Sequence, residues 1–145
     1  MSTSTFSCEI GTTNPALSLG MEIWFDDQCF FNQEHVQESQ TIKYEFNDDV
    51  EGSHELRFVL KNKLSEHTAV DSDGKIISDT TLTISNISFD EVDCQYLTTK
   101  LAEYHHDFNG TGAETQQKFY GSMGCNGTVS LKFTTPVYIW LLENL

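Results

Sequence analysis

Basic residues are scarce in this chain. Eight Lys and Arg stand against 22 Asp and Glu, a formal net charge of −14. That balance repels phosphate backbones and anionic headgroups, so neither nucleic acid nor an anionic membrane is an expected partner. It suits a basic partner, bound cations, or solubility among acidic neighbours. Proline occurs only twice, so strands are rarely interrupted and the chain is no disordered linker. No apolar run approaches the roughly 18 residues that a membrane-spanning helix needs. The opening Met1-Ser2-Thr3-Ser4-Thr5 is polar and uncharged, and does not read as a signal peptide.

Recognisable chemistry is equally sparse. Cys8, Cys29, Cys94 and Cys125 lie far apart, with no C-x-x-C and no Cys/His finger spacing, so structural zinc is not expected. Reduced core thiols are the simplest expectation. Disulfides stay open, with three possible pairings that nothing in the sequence selects. No G-x-S-x-G elbow appears, although a Ser/His/Asp set can assemble from distant positions. His105 and His106 would face opposite sides of a strand, and His35, His54 and His67 are scattered. Asp26-Asp27 and Asp48-Asp49 read as turn residues rather than as a carboxylate pair across a cleft. The chain is therefore expected not to be an enzyme. Three N-x-S/T triplets start at Asn86, Asn109 and Asn126; the last two read as Asn-Gly turns.

What the chain does have is alternation. Leu17, Leu19, Met21, Ile23 and Phe25 follow a strict period of two, then Asp26-Asp27-Gln28 turns into Cys29-Phe30-Phe31, which predicts a hairpin. Ile42, Tyr44 and Phe46 form a second alternating run, and Leu56, Phe58 and Leu60 a third. The short acidic turn between them predicts that these two runs pair. Leu82 and Ile84, then Ile87 and Phe89, keep the alternation with one residue inserted, which predicts a β-bulge near Ser85-Asn86. Asp90–Leu97 has room for one helical turn. Ala102, Tyr104, His106 and Phe108 alternate again. Phe119–Met123 and Val129–Phe133 flank Gly124-Cys125-Asn126-Gly127, which predicts a tight hairpin. Val137, Ile139 and Leu141 after Pro136 predict a last strand, apolar on both faces because Tyr138 and Trp140 fill the other phase. The sum is an all-β, single-domain antiparallel β-sandwich of jelly-roll type, with eight to ten strands. It is expected over residues 16–145, behind a flexible Ser/Thr-rich arm at residues 1–15.

Two places are candidate sites. The irregular segment Asn62–Thr80 offers hard oxygen ligands for calcium in Asn62, Asp71, Asp73 and Asp79. It is not an EF-hand: with Gly74 at the glycine position, Ala69 and Thr80 fall at the first and last ligand places, and neither carries a carboxylate. Trp24, Tyr138 and Trp140 lie on the phase opposite their strands' other apolar residues, and are expected to face a second layer or an interface. An outward Trp stacks on a sugar ring or anchors a protein contact.

Leu60-Lys61-Asn62 and Asp79-Thr80-Thr81-Leu82-Thr83-Ile84-Ser85-Asn86-Ile87-Ser88-Phe89-Asp90 together resemble the core of calcium-dependent xylan-binding modules. That resemblance implies a β-sandwich with calcium near Asp79. The chain departs from that pattern at Lys63 and at Thr80. Over residues 17–145 the chain is similar to small uncharacterised virion proteins of marine contractile-tailed cyanophages. Phe58-Val59-Leu60-Lys61-Asn62-Lys63, Phe108-Asn109-Gly110-Thr111-Gly112, Tyr120-Gly121-Ser122-Met123-Gly124-Cys125-Asn126-Gly127 and Trp140-Leu141-Leu142-Glu143-Asn144 carry it, with His67-Thr68 and Val70-Asp71. It implies a virion structural protein, decorating the head or forming part of the tail or fibres, with other virion proteins as partners. The alternative expectation is a calcium-dependent carbohydrate-binding module.

Overall fold

The computed structural model describes residues 2–145. In chain order its strands are β1 (Thr3–Thr12), β2 (Leu19–Phe25), β3 (Gln28–Val36), β4 (Gln40–Asn47), β5 (Gly52–Lys61), β6 (Thr68–Val70), β7 (Ile76–Asp79), β8 (Leu82–Phe89), β9 (Val92–Asp93), β10 (Glu103–His106), β11 (Thr115–Lys118), β12 (Ser122–Met123) and β13 (Gly127–Thr135). Two short helices join them: α1 (Gln95–Leu101) and α2 (Val137–Asn144). The first sheet has the order β12-β8-β1-β4, with β9 added on β8; the second has the order β11-β10-β13-β5-β2-β3. Every pairing is antiparallel. The chain is thus an all-β sandwich. Its described strands exceed the predicted eight to ten because β6, β7, β9, β11 and β12 are only two to four residues long. A jelly roll does not follow from these orders, since β2 and β3 stay in one sheet as a hairpin.

Alternation decides which face each strand buries. Phe6, Cys8 and Ile10 of β1 meet Met21 and Ile23 of β2, Leu56, Phe58 and Leu60 of β5, and Val129, Leu131 and Phe133 of β13 in one buried cluster. Aromatic contacts run through it: Phe25 lies 5.1 Å from Phe46, Phe6 lies 5.6 Å from Phe89, and Phe89 lies 4.9 Å from Phe133. The predicted β2–β3 hairpin is present, with Asp26 at φ 51° in its turn. So is the bulge. The β1–β8 register slips between Ser7 and Glu9, opposite Asn86 at φ 52°, and Leu82, Ile84, Ile87 and Phe89 are all buried.

Four expectations need correction. Residues 3–12 are not an arm: β1 pairs with both β4 and β8, because Phe6, Cys8 and Ile10 alternate beneath the Ser/Thr-rich outer row. β4 and β5 do not pair. The acidic loop between them carries the chain from one sheet to the other, so β4 borders β1 while β5 borders β2 and β13. Gly124–Gly127 is likewise a crossing, from β12 on β8 to β13 between β10 and β5. The Asn126 side chain fixes that crossing by accepting from Lys63 N at 2.8 Å and donating to Lys63 O at 3.0 Å. Finally, the predicted last strand is α2. Val137, Trp140 and Leu141 are its buried residues, and their i, i+3, i+4 spacing is the helical period.

The registers define two ends. Thr3, Asn47, Gly52, Phe89 and Thr135 lie at one, where α2 closes the space between the sheets and Trp140 packs 5.9 Å from both Phe89 and Phe133. Thr12, Leu82, Lys61 and Gly127 lie at the other, from which β6 and β7 leave the sandwich as a separate two-stranded hairpin.

Candidate interaction surfaces

The segment expected to bind calcium is this hairpin and its base. Asp71 shapes the tip: its Oδ1 accepts from Asp73 N and Lys75 N, both at 2.9 Å, with Gly74 at φ 81°. Asp79 lies at the base. Its Oδ1 accepts from Lys63 Nζ at 2.6 Å and from Thr68 Oγ1 at 2.7 Å. The Lys63 side chain is 1% exposed and donates also to Thr80 O, so an ammonium ion already neutralises this carboxylate. Asn62, at φ 66°, turns away and donates to Glu34 at 2.9 Å. Among the described residues no three His, Cys, Asp or Glu side chains converge as a metal site. Asn62, at a polar corner, Asp71, at the hairpin tip, and Asp79, at its base, are thus engaged in three separate networks.

Asn62 belongs instead to a polar corner on the outer face of the second sheet. Lys61 Nζ donates to Glu22 at 3.1 Å, Asn32 at 2.7 Å and Glu34 at 2.8 Å. Hydrogen bonds from Trp24 and then Lys61 hold Glu22 below its ordinary 4.5, and bonds from Lys61 and Asn62 do the same for Glu34. Trp24 is half-buried there, its Nε1 donating to Glu22 at 2.8 Å and the Arg57 guanidinium 5.2 Å from its ring. Of the three aromatic residues expected at an interface, Trp24 is thus engaged within its own sheet, and Trp140 is 6% exposed against the core. Only Tyr138 stands out, 61% exposed. On a helix, positions two apart do not share a face, which separates it from Trp140.

At the helix end, Asp26 Oδ2 lies 2.7 Å from His54 Nδ1, and His54 Nε2 lies 3.2 Å from Thr135 Oγ1. The carboxylate and imidazole of this row border a cleft of about 500 Å³ that Lys132, Phe133 and Trp140 also line. The row's hydroxyl is not a free nucleophile: Thr135 is 4% exposed and Oγ1 lies 2.6 Å from Val50 O, the shortest of its three contacts. That bond and the one from Val137 N to Asp48 Oδ1 at 2.9 Å tie the start of α2 to the acidic crossing loop. Asp48 Oδ2 and Asp90 Oδ2 lie 2.8 and 2.7 Å from Ser4 Oγ, so the same network includes β1. The four cysteines are all free. Burial pushes the Cys8 thiol up to about 12 and raises those of Cys94 and Cys125, which makes them poor nucleophiles.

Exposed apolar side chains gather elsewhere. Leu64, Val70, Ile76 and Ile77 belong to the hairpin and its approach, and Tyr138, Ile139, Leu142 and Leu145 to α2 and the residue after it, while Val50, Val92, Tyr96, Phe108 and Tyr120 are exposed singly on loops, β9 and α1. None of the nine strands β1–β5, β8, β10, β11 and β13 exposes a large apolar side chain. No helix among the described residues is long and apolar enough to cross a membrane. Comparison of the chain with known protein families, curated proteins and solved structures finds no match.

Proposed function

We propose that the chain works by binding rather than by catalysis, as a structural component of a phage particle held there by protein–protein contacts. The observation that carries this is the placement of exposed apolar surface. Large apolar side chains are uncovered in groups on the hairpin at one end and on α2 at the other, and singly at Val50, Val92, Tyr96, Phe108 and Tyr120, while the long strands present Ser, Thr, Glu, Lys and Asn outward. A sandwich with polar faces and apolar ends is suited to contacts along its length, as in a head decoration or a tail or fibre part. The resemblance to small virion proteins read from the sequence motifs implies the same class. The tied-up Thr135 hydroxyl and the inert thiols support a non-enzymatic role.

Purified particles that encode the chain test the proposal. Quantitative mass spectrometry should find it at a fixed ratio to the major capsid or tail subunit, and the neighbouring genes should encode capsid or baseplate parts. Particles that lack the chain at every stage of assembly would refute it.

A further inference from the structure

The helix end carries more than apolar surface. Tyr138, Leu142 and Leu145 are spaced i, i+4, i+7 and are 61%, 75% and 70% exposed, so they form one stripe along α2. Ile139, beside it, lines a cleft of about 430 Å³ with Glu51, Thr134 and Pro136. The rim is mostly acidic. Asp26, Asp49, Glu51, Asp90 and Glu91 occupy the turns at this end, and Glu143 stands on α2 itself. Opposing charge is missing from all of these segments: no Lys or Arg occurs before Lys43, between Lys43 and Arg57, between Lys75 and Lys100, or after Lys132. α2 also ends without a basic residue in its last turn, so its C-terminal carbonyls receive no cation from it. Lys132 lines two of the flanking clefts, and Lys43 lines a third beside Asp90 and Glu91.

We propose that the helix end is a docking site for a segment of another protein that is apolar on one side and carries Lys or Arg beside it. This rests on the binding role proposed above and names the partner's chemistry for one of its two ends. Apolar side chains of the segment cover the Tyr138–Leu142–Leu145 stripe, and its cations meet the acidic rim. A second copy of this chain fits less well, because two acidic rims would face each other. An anionic lipid surface is repelled for the same reason.

Titration calorimetry of the full chain tests this with two synthetic helical peptides, one with Leu on one face and Lys on the other, and one with Glu in place of Lys. Wild type and an Ile76→Ser/Ile77→Ser control should bind the Leu/Lys peptide alike. Tyr138→Ser/Leu142→Ser should bind it at least about tenfold more weakly, a loss of about 1.4 kcal/mol. Glu51→Lys/Glu143→Lys keeps the apolar stripe and should weaken binding as much, so it decides the matter if the first variant fails to fold. The Leu/Glu peptide should not bind measurably. Equal binding by all folded variants would mean unspecific attraction to an acidic protein and would overturn the proposal. So would tight binding of the Leu/Glu peptide, or a wild-type dimer in sedimentation that Tyr138→Ser/Leu142→Ser dissolves. Failure here leaves the mass-spectrometric result on particles unchanged, so the two proposals fall separately.

Discussion

Lys63 places an ammonium group inside the protein, and Asp79, about one-third exposed, neutralises it. Removing the carboxylate strands a buried charge, whereas removing the ammonium leaves a carboxylate that water still reaches. Asp79→Ala is therefore expected to cost about 3 kcal/mol, and Lys63→Met about 1 kcal/mol or less. Urea unfolding that returned the opposite order would contradict this account of the pair. Lys61 is the contrasting case, a cation at the surface held by three partners. Its bonds depress Glu22 and Glu34 below 4.5, and the bond to Glu34 leads in raising Lys61 above 10.5. Depressed carboxylates give stability that is present above 4.5 and lost as pH falls through their folded values. The raised amine gives stability that is present below 10.5 and lost as pH rises through its folded value. Lys61→Met should thus lower Tm between those limits, by little because the groups are solvated. The difference from wild type should shrink in acid, and a Tm gap undiminished well below pH 4.5 would rule out the ionic origin.

Among the elements, α2 divides most sharply into a buried and a free side. Trp140 closes the core, so Trp140→Ala is expected to cost about 3–5 kcal/mol, while Leu142→Ser should stay within about 0.5 kcal/mol. Thermal unfolding that found the two alike would mean that α2 does not close the sandwich. α2 is also where the sequence misled. Val137–Leu142 is apolar in both phases, and a run without polar punctuation satisfies a period of two and a helical period equally. β1 was hidden differently. Its outer row of Thr3, Thr5 and Ser7 has the composition of a loose terminus, although Phe6, Cys8 and Ile10 alternate beneath it. Elsewhere alternation with one clear polar face was enough: the β2–β3 hairpin and the Asn86 bulge were legible because each apolar residue had a single side to go to. Loops were the least informative, since a short turn within a sheet and a short crossing between sheets use the same Asn, Asp and Gly. The candidate sites followed from that. Asp71 and Asp73 looked like free ligands when they were turn residues, and the partner of Asp79 was a lysine 16 positions earlier that no spacing rule marks.

At the scale of the molecule, the net charge of −14 acts on the folded state as self-repulsion. Salt screens it, so Tm should rise between roughly 10 and 150 mM NaCl, over which the Debye length falls from about 30 to about 8 Å. Calorimetry in which Tm fell over that range would mean that ion pairs such as Lys61 with Glu22 and Glu34 outweigh the repulsion. The sheet order carries a different consequence, about time. β13 lies between β10 and β5. Until Gly127–Thr135 has left the ribosome, the second sheet exists as two separate parts, and Leu56, Phe58 and Leu60 of β5 lack the strand beside them. β1 emerges first and waits for β8, more than 70 residues later, before its second neighbour arrives. Folding in such a chain begins in earnest only once Gly127–Thr135 is free to pair, and a ribosome stalled before Gly127 would hold out an unfinished apolar layer for chaperones to cover.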